Sequence, residues 1–357
     1  MRAYLMTDAT TATMACAAVL VCSGADVWVD IASTNTTQNG SPQYPYRTIQ
    51  QAADVAASGD VVRIRAGYYR ETVDLSARAD HVTYRAEHPG TAVILGSERF
   101  GAPGSTNLHQ WRQLTAAEVD LPAGVHYSNV YKLALPNWTY THWSGVKTCA
   151  VEIAALLDAT GGVTRLPCAR APNWTVDMAD VFQRVHYHSN WWTADGSTVS
   201  NNTGVRWLTD VDALPPGRYN DLRGARAFVL DHQQAHYFFR AFIVSQRFDE
   251  ARIQFDITID HEGLNGIGPR TKYYLENDTE FMDQPGEWAL VNNGRTAMVY
   301  VLTGSGGAYG LSLPPTALGA VELSKRHTGM ELTGRSHVRL EGLAFRCITK
   351  DHERQYY

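Results

Sequence analysis

The sequence predicts an all-β fold, a solenoid of short strands with a short helix across its N-terminal end and a long β-rich insertion. Three observations predict it. From residue 61 apolar and polar side chains alternate, and the strands they mark are anchored at Val62, Val73, Val82 and Val93, intervals of 11, 9 and 11 residues. The breaks between them (Ala66 to Tyr69, Ser76 to Asp80, His88 to Gly90) hold no Asn-Gly or Asp-Gly pair, so the chain bends onward where a hairpin would reverse it. Upstream, Ile49, Ala52, Ala53 and Ala56 share one helical face, a narrow stripe suited to lying across the open end of a stack.

The elements follow in order. Residues 1–25 carry Arg2, an apolar stretch from Met14 to Val21 and the small residues Ser23, Gly24 and Ala25, the layout of a secretory signal peptide; a secreted, extracellular protein is expected. Residues 26–100 form the cap and first coils. Val27 to Ile31 alternate as a strand, 33–46 are a polar loop, Thr48 is placed to cap the helix, and Ser58-Gly59 ends it. The coils then run through Val62, Ile64 and Ala66, Val73 and Leu75, Val82 and Tyr84, and Val93 and Leu95. Over 101–320 that spacing disappears, which predicts an irregular β-rich insertion. In 321–357 it resumes: the apolar pairs at 330/332, 338/340 and 343/345 read as the inward positions of one rung. The sequence stops twelve residues after Phe345, so the resumed coil reads as truncated.

The run Tyr44-Pro45-Tyr46-Arg47-Thr48-Ile49-Gln50-Gln51-Ala52, followed by Ser58-Gly59-Asp60-Val61-Val62-Arg63-Ile64 and Gly67-Tyr68-Tyr69-Arg70-Glu71-Thr72-Val73, resembles the first coils of secreted right-handed parallel β-helix proteins. Those include pectate-lyase-like polysaccharide lyases and several glycoside hydrolases. Leu166 to Asn173 is similar to an Ala-Arg-aromatic-Pro-Asn stretch of a glycan-active subset, with Ala171 in the aromatic place. Tyr274-Leu275-Glu276-Asn277 and Pro285-Gly286-Glu287-Trp288 match that subset's paired motifs. The resemblance covers roughly 27–100, 165–175 and 270–347. It implies a right-handed parallel β-helix that acts on or binds polysaccharide, glycoside hydrolase-like, and it names no catalytic residue. Two alternatives stand beside it: a non-catalytic glycan-binding or structural surface protein, and an inactive N-terminal fragment of a longer lyase or hydrolase.

Composition narrows the partners. Of 357 residues, 44% are hydrophobic and 19% charged, which excludes general disorder. A net charge of -5 leaves no electrostatic footprint for nucleic acid or an anionic membrane, and no apolar run reaches the ~18 residues of a membrane span. Oligomeric state is not legible. Trp (9) and Tyr (18) outnumber Phe (10), the aromatics that suit sugar-holding surfaces. Six Asn-x-Ser/Thr sequons, at Asn35, Asn39, Asn137, Asn173, Asn201 and Asn277, are open to glycan on a secretory route. Loss of a signal would remove Cys16 and Cys22; Cys149 and Cys168 are then the closer pair for a disulfide, with Cys347 over.

No tight catalytic motif is present. Gly304-Ser305-Gly306-Gly307 is followed by Tyr309 where a dinucleotide loop needs glycine, and His232-Gln233-Gln234-Ala235-His236 has the histidine spacing of a zincin with Gln233 in place of its glutamate. His186 and His188 share one strand face without a third metal ligand. Glycan cleavage calls for carboxylates, and alternation from Arg252 places Asp256, Asp260 and Glu262 in line on one strand face. They are the catalytic candidates, and they would also suit calcium, the single cofactor the sequence suggests. Trp191 and Trp192, beside Asn190 and Asp195, are the candidates for stacking on a sugar ring.

Overall fold

The computed structural model describes residues 24–116, 118–135, 139–141, 147–149, 154–157, 162–174, 190–199, 206–230, 238–255, 269, 271–292, 297–307 and 310–349. The fold is all-β. Its first strands are β1 (Asp26–Val29), β2 (Val61–Ile64), β3 (Gly67–Tyr69), β4 (Val73–Asp74), β5 (Thr83–Ala86) and β6 (Ala92–Leu95), with α1 (Ile49–Val55) between β1 and β2. β1, β2 and β5 pair in parallel, as do β3 and β6. Register stacks like on like: Val27, Val62 and Tyr84 form one buried row, and Val29, Ile64 and Ala86 another. Each large side chain in those rows contributes about 1.5–3 kcal/mol by leaving water. Thr48 and Gln51 close a capping box on α1, whose Ile49, Ala52 and Ala53 are buried against the same rows. Two further donors of the helix start, the amides of Ile49 and Gln50, bind the Glu71 carboxylate at 2.9 Å each. The Tyr69-Arg70-Glu71 run therefore builds the fold: Tyr69 fills the core and Glu71 holds the helix.

The chain leaves the stack at Gly96 and returns to it. The amides of Lys325 and Arg326 both donate to the Gly96 carbonyl, at 2.7 and 2.8 Å, and the Gly96 amide donates to the Arg346 carbonyl at 3.0 Å. A Cβ at Gly96 would lie 2.5 Å from the Cys347 carbonyl oxygen, so the crossing requires glycine.

The excursion comprises β7 (Ser97–Arg99), β8 (Arg112–Gln113), β9 (Val130–Leu135), β10 (Thr139–Thr141), β11 (Lys147–Cys149), β12 (Ala154–Leu157), β13 (Val163–Leu166), β14 (Arg170–Ala171), β15 (Trp192–Thr193), β16 (Gly196–Val199), β17 (Arg206–Thr209), β18 (Arg226–Leu230), β19 (Phe238–Arg247), β20 (Arg252–Phe255), β21 (Lys272–Glu276), β22 (Trp288–Asn292), β23 (Ala297–Leu302) and β24 (Val321–Ser324). All of its strand pairs are antiparallel. The largest sheet runs β14-β21-β18-β19-β20-β17-β16; two four-stranded sheets run β13-β12-β24-β7 and β22-β23-β9-β8. Trp288 is buried between them with its indole N–H on the Leu166 carbonyl at 3.0 Å.

After the excursion come β25 (Met330–Glu331), β26 (Arg339–Glu341) and β27 (Ala344–Arg346), each parallel to an earlier coil strand: β25 on β4, β26 on β5 and β27 on β6. This alters the sequence reading in two ways. Val321–Ser324 is not coil but an antiparallel strand of the excursion, hydrogen-bonded between β12 and β7 with all four residues buried, the polar Glu322 and Ser324 included. The residues expected to form a single rung also divide, since Met330 lies on Val73 of β4 while Leu340 and Phe345 lie on Tyr84 of β5 and Ile94 of β6. The excursion thus lies between β6 and β25 in the chain. Leu340 and Phe345 continue the inward rows of Tyr84 and Ile94, yet with Leu332 they stay 36–39% exposed, since no described strand stacks beyond them.

Candidate functional site

The motif residues after Leu166 converge, and their roles are structural. β14 lies against β21 with Arg170 opposite Glu276. The Arg170 guanidinium stacks 3.8 Å above the Tyr274 ring and 4.8 Å from the Trp174 ring. Arg226, nearly buried, reaches Glu276 at 3.3 Å. Asn277 adopts a left-handed conformation (φ 67°) and clamps Leu290 through both its amide nitrogen and its oxygen. Glu287, 2% exposed, accepts the amides of Asp283 and Gln284 at 2.9 Å; burial pushes its carboxyl up to about 8. Arg226, Asn277 and Glu287 are buried, and the last two hold turns together, whereas Arg170, Trp174, Tyr274 and Glu276 are half-buried.

The two candidate indoles do not form a joint platform. Neighbours on a strand point to opposite faces: Trp191 meets Tyr274 edge-on at 4.8 Å, and Trp192 leans on the buried Tyr273 at 5.6 Å with the Arg218 guanidinium 5.5 Å away. Asp256, Asp260 and Glu262 lie outside the described residues, as do His186, His188, His232, His236, Cys16, Cys22 and nearly all of residues 1–25. Among the described residues no group of three or more His, Cys, Asp or Glu is arranged to hold a metal. The calcium expectation therefore has no described site. Cys168 carries a half-buried free thiol beside Arg226 (3.5 Å) and Asn277 (3.9 Å), and the side chain of Cys149, its expected partner, lies outside the described residues. Of the sequons, Asn137 and Asn201 lie outside the described residues. Asn39 is exposed, Asn35 and Asn173 are half-buried, and Asn277 is buried with its amide committed, which leaves no room for a glycan there.

A cleft of about 400 Å³ opens where the excursion meets the stack, between β13 and β27, lined by Val163, Arg165, Phe345, Arg346, Cys347 and Ile348. Each wall has a separate origin. Pairing of β13 to β12, β12 to β24 and β24 to β7 carries Arg165 back to the exit point, while stacking of β27 on β6 sets Phe345 above Ile94. The two walls meet at a buried charge: Glu322, fully enclosed, holds Arg70 at 2.5 Å, Ser97 Oγ at 2.8 Å and the guanidinium of Arg99. Arg326 pairs with Glu98 and donates to the Ser97 carbonyl at 3.2 Å. Burial pushes the thiol of Cys347, one of the lining residues, up, so it stays neutral and poorly nucleophilic. Sequence reasoning placed Phe345 inward but missed Arg165 and Arg346. An isolated arginine on a strand carries no local signal of what faces it across a distant pairing.

No family model matches the sequence. Over 76 residues the chain is 36% identical to the Arabidopsis thaliana protein "Probable pectinesterase/pectinesterase inhibitor 64", a match covering 20% of this chain and 13% of that one. A solved structure described as "Glycoside hydrolase" superposes over 91% of this chain with a TM-score of 0.55 and 15% identity. The chain shares that protein's fold. It spans about half of that protein's length, 51%. The structure titled "The complex structure of XylC with xylose" is matched over 90% of this chain at 16% identity, with a TM-score of 0.38 that is too loose to carry an argument. Among the described residues no helix is long and apolar enough to cross a membrane.

Proposed function

We propose that this chain is a secreted, carbohydrate-active protein in which a right-handed parallel β-helix recognises polysaccharide at the cleft between β13 and β27. The observation that carries the reading is the cleft's position: a parallel stack is opened at one turn by an antiparallel excursion, which folds back to form a groove on the stack's flank. Support comes from the glycoside hydrolase of like fold, from the plant pectinesterase-type relative and from the signal-like residues 1–25. On a secretory route the exposed Asn39 and half-buried Asn35 would be the glycan acceptors of the N-terminal loop.

Within this reading, binding without cleavage is favoured over hydrolysis at the cleft itself. Hydrolysis needs two carboxyl groups flanking the glycosidic bond, and none of the described lining residues is acidic. Incubation with plant, algal and microbial polysaccharides, with affinity electrophoresis beside assays for reducing ends and for unsaturated uronate absorbance, tests both readings. Retardation without product is expected. Product of either kind would overturn the non-catalytic reading, and no retardation by any polymer would overturn the polysaccharide reading.

A further inference from the structure

We infer that the open end of the parallel stack is a self-association surface, where β26 pairs antiparallel with β26 of a second copy of this chain about a two-fold axis at Leu340. The inference does not rest on the polysaccharide reading. It comes from a difference between the two ends of the stack. At the first strand the outer edge is already used: the Trp28 and Asp30 amides of β1 and its flank donate to the carbonyls of Gly40 and Tyr46 at 2.8 and 2.7 Å, and the Tyr46 amide donates back to the Trp28 carbonyl at 2.9 Å. At the last strands no such cover exists among the described residues. β26 and β27 are each the end strand of their sheet, and β25 has only β4 beside it. An unpaired edge of this kind is a template for another strand.

The charges on β26 select the second copy and its direction. The Arg339 amide donates to the Val82 carbonyl at 3.0 Å, so Arg339 and Glu341 turn their backbone groups toward β5, while Leu340 turns its N–H and C=O to the free edge. A residue with both groups on one edge can exchange both bonds with its own copy in an antiparallel pair. That register sets Arg339 opposite Glu341 of the second copy, twice over by symmetry, and sets Leu340 against Leu340. A parallel, in-register copy would instead oppose Arg339 to Arg339 and Glu341 to Glu341. Arg339 is available for the contact: its side chain is 69% exposed and stands 3.5 Å from Glu341, whose nearer partner is Arg85 at 2.5 Å. The same contact covers the apolar side chains of this end, Leu340 on β26, Phe345 on β27 and Leu332 just after β25, which are 38%, 36% and 39% exposed. Because the β1 edge is closed by its own loop, association stops at two copies.

The test uses the full chain in sedimentation velocity and light scattering from ~1 to ~100 µM, where modest interfaces associate. The weight-average mass should rise from 39.5 kDa toward twice that value and no further. Arg339→Glu and Glu341→Arg each bring like charges opposite one another and should weaken association at least ~10-fold. Mixed in equal amounts, the two variants present opposite charges and should dimerise with each other. That complementation separates a lost contact from a folding defect, and melting of each variant checks the fold. Leu340→Lys should keep the mass of a single copy, and the Leu340 amide of wild type should exchange more slowly as concentration rises. A mass constant over the range, a mass growing past two copies, or single reversals that associate as wild type would each overturn the inference. So would a Leu340 amide protected equally at every concentration, the result expected if residues 350–357 cover this end.

Discussion

Replacing Glu322 with alanine tests how the stack and the excursion are joined. The carboxylate is fully buried between Arg70 of the stack and Arg99 and Ser97 of the exit strand. Removing one partner of a buried ion pair costs about 3–5 kcal/mol when the other is left dry. Here the side chains of Arg70 and Arg99 keep 26% and 37% of their exposure, so both regain water and the cost falls to roughly 2 kcal/mol. For a chain of this size that lowers Tm by ~4 °C or less. Urea unfolding followed by tryptophan fluorescence measures the loss directly. A double-mutant cycle with Arg70→Ala should show coupling of ~1 kcal/mol or more, because the second substitution removes a charge already orphaned by the first. A Glu322→Ala protein within ~0.5 kcal/mol of wild type, or additive losses in the cycle, would refute the idea that this cluster ties the two parts together.

Gly96→Ala should destabilise by about 2–4 kcal/mol, since its Cβ would stand 2.5 and 2.6 Å from backbone atoms of Cys347 and Ile348; a urea midpoint equal to wild type would contradict the crossing geometry. Burial raises the Glu287 carboxyl from 4.5 to about 8, so between those values the native state keeps a proton that the unfolded chain has released. Stability therefore falls as pH rises through that window and levels off above it. Glu287→Gln should lose less stability than wild type between pH ~5 and ~8, and parallel curves would count against the raised value. The Cys168 thiol, pushed well up by burial, and the Cys347 thiol should react with a thiol reagent only after denaturation. Native labelling, or a mass spectrum showing Cys168 in a disulfide, would be the contrary result.

The legible parts of the fold are those where local pattern and tertiary role coincide. Thr48 caps α1 because a threonine followed three residues later by glutamine satisfies the helix start from within the segment. Val62, Ile64 and Tyr84 are buried where alternation put them. The sequence marks the excursion only as β-rich content, because antiparallel sheets built from short runs leave their pairing to contacts far away in sequence, as β24 with β7. That remoteness is why Val321–Ser324 reads as coil when it is not. Trp191 and Trp192 are adjacent in sequence, yet their rings pack on different partners, Tyr274 and Tyr273, a division that composition does not carry.

By itself the sequence determined the all-β class, the capped start of the stack and the place where its periodicity breaks, because strand alternation and helix capping are set by residues within a few positions of one another. The tertiary structure alone decided that the chain leaves and re-enters the stack at one glycine, that Glu287 and Arg226 are buried, and that Arg165, Phe345 and Arg346 line one cleft. Those relations join residues up to 250 positions apart, and only the closing of the sheets fixes which of many possible partners each one meets.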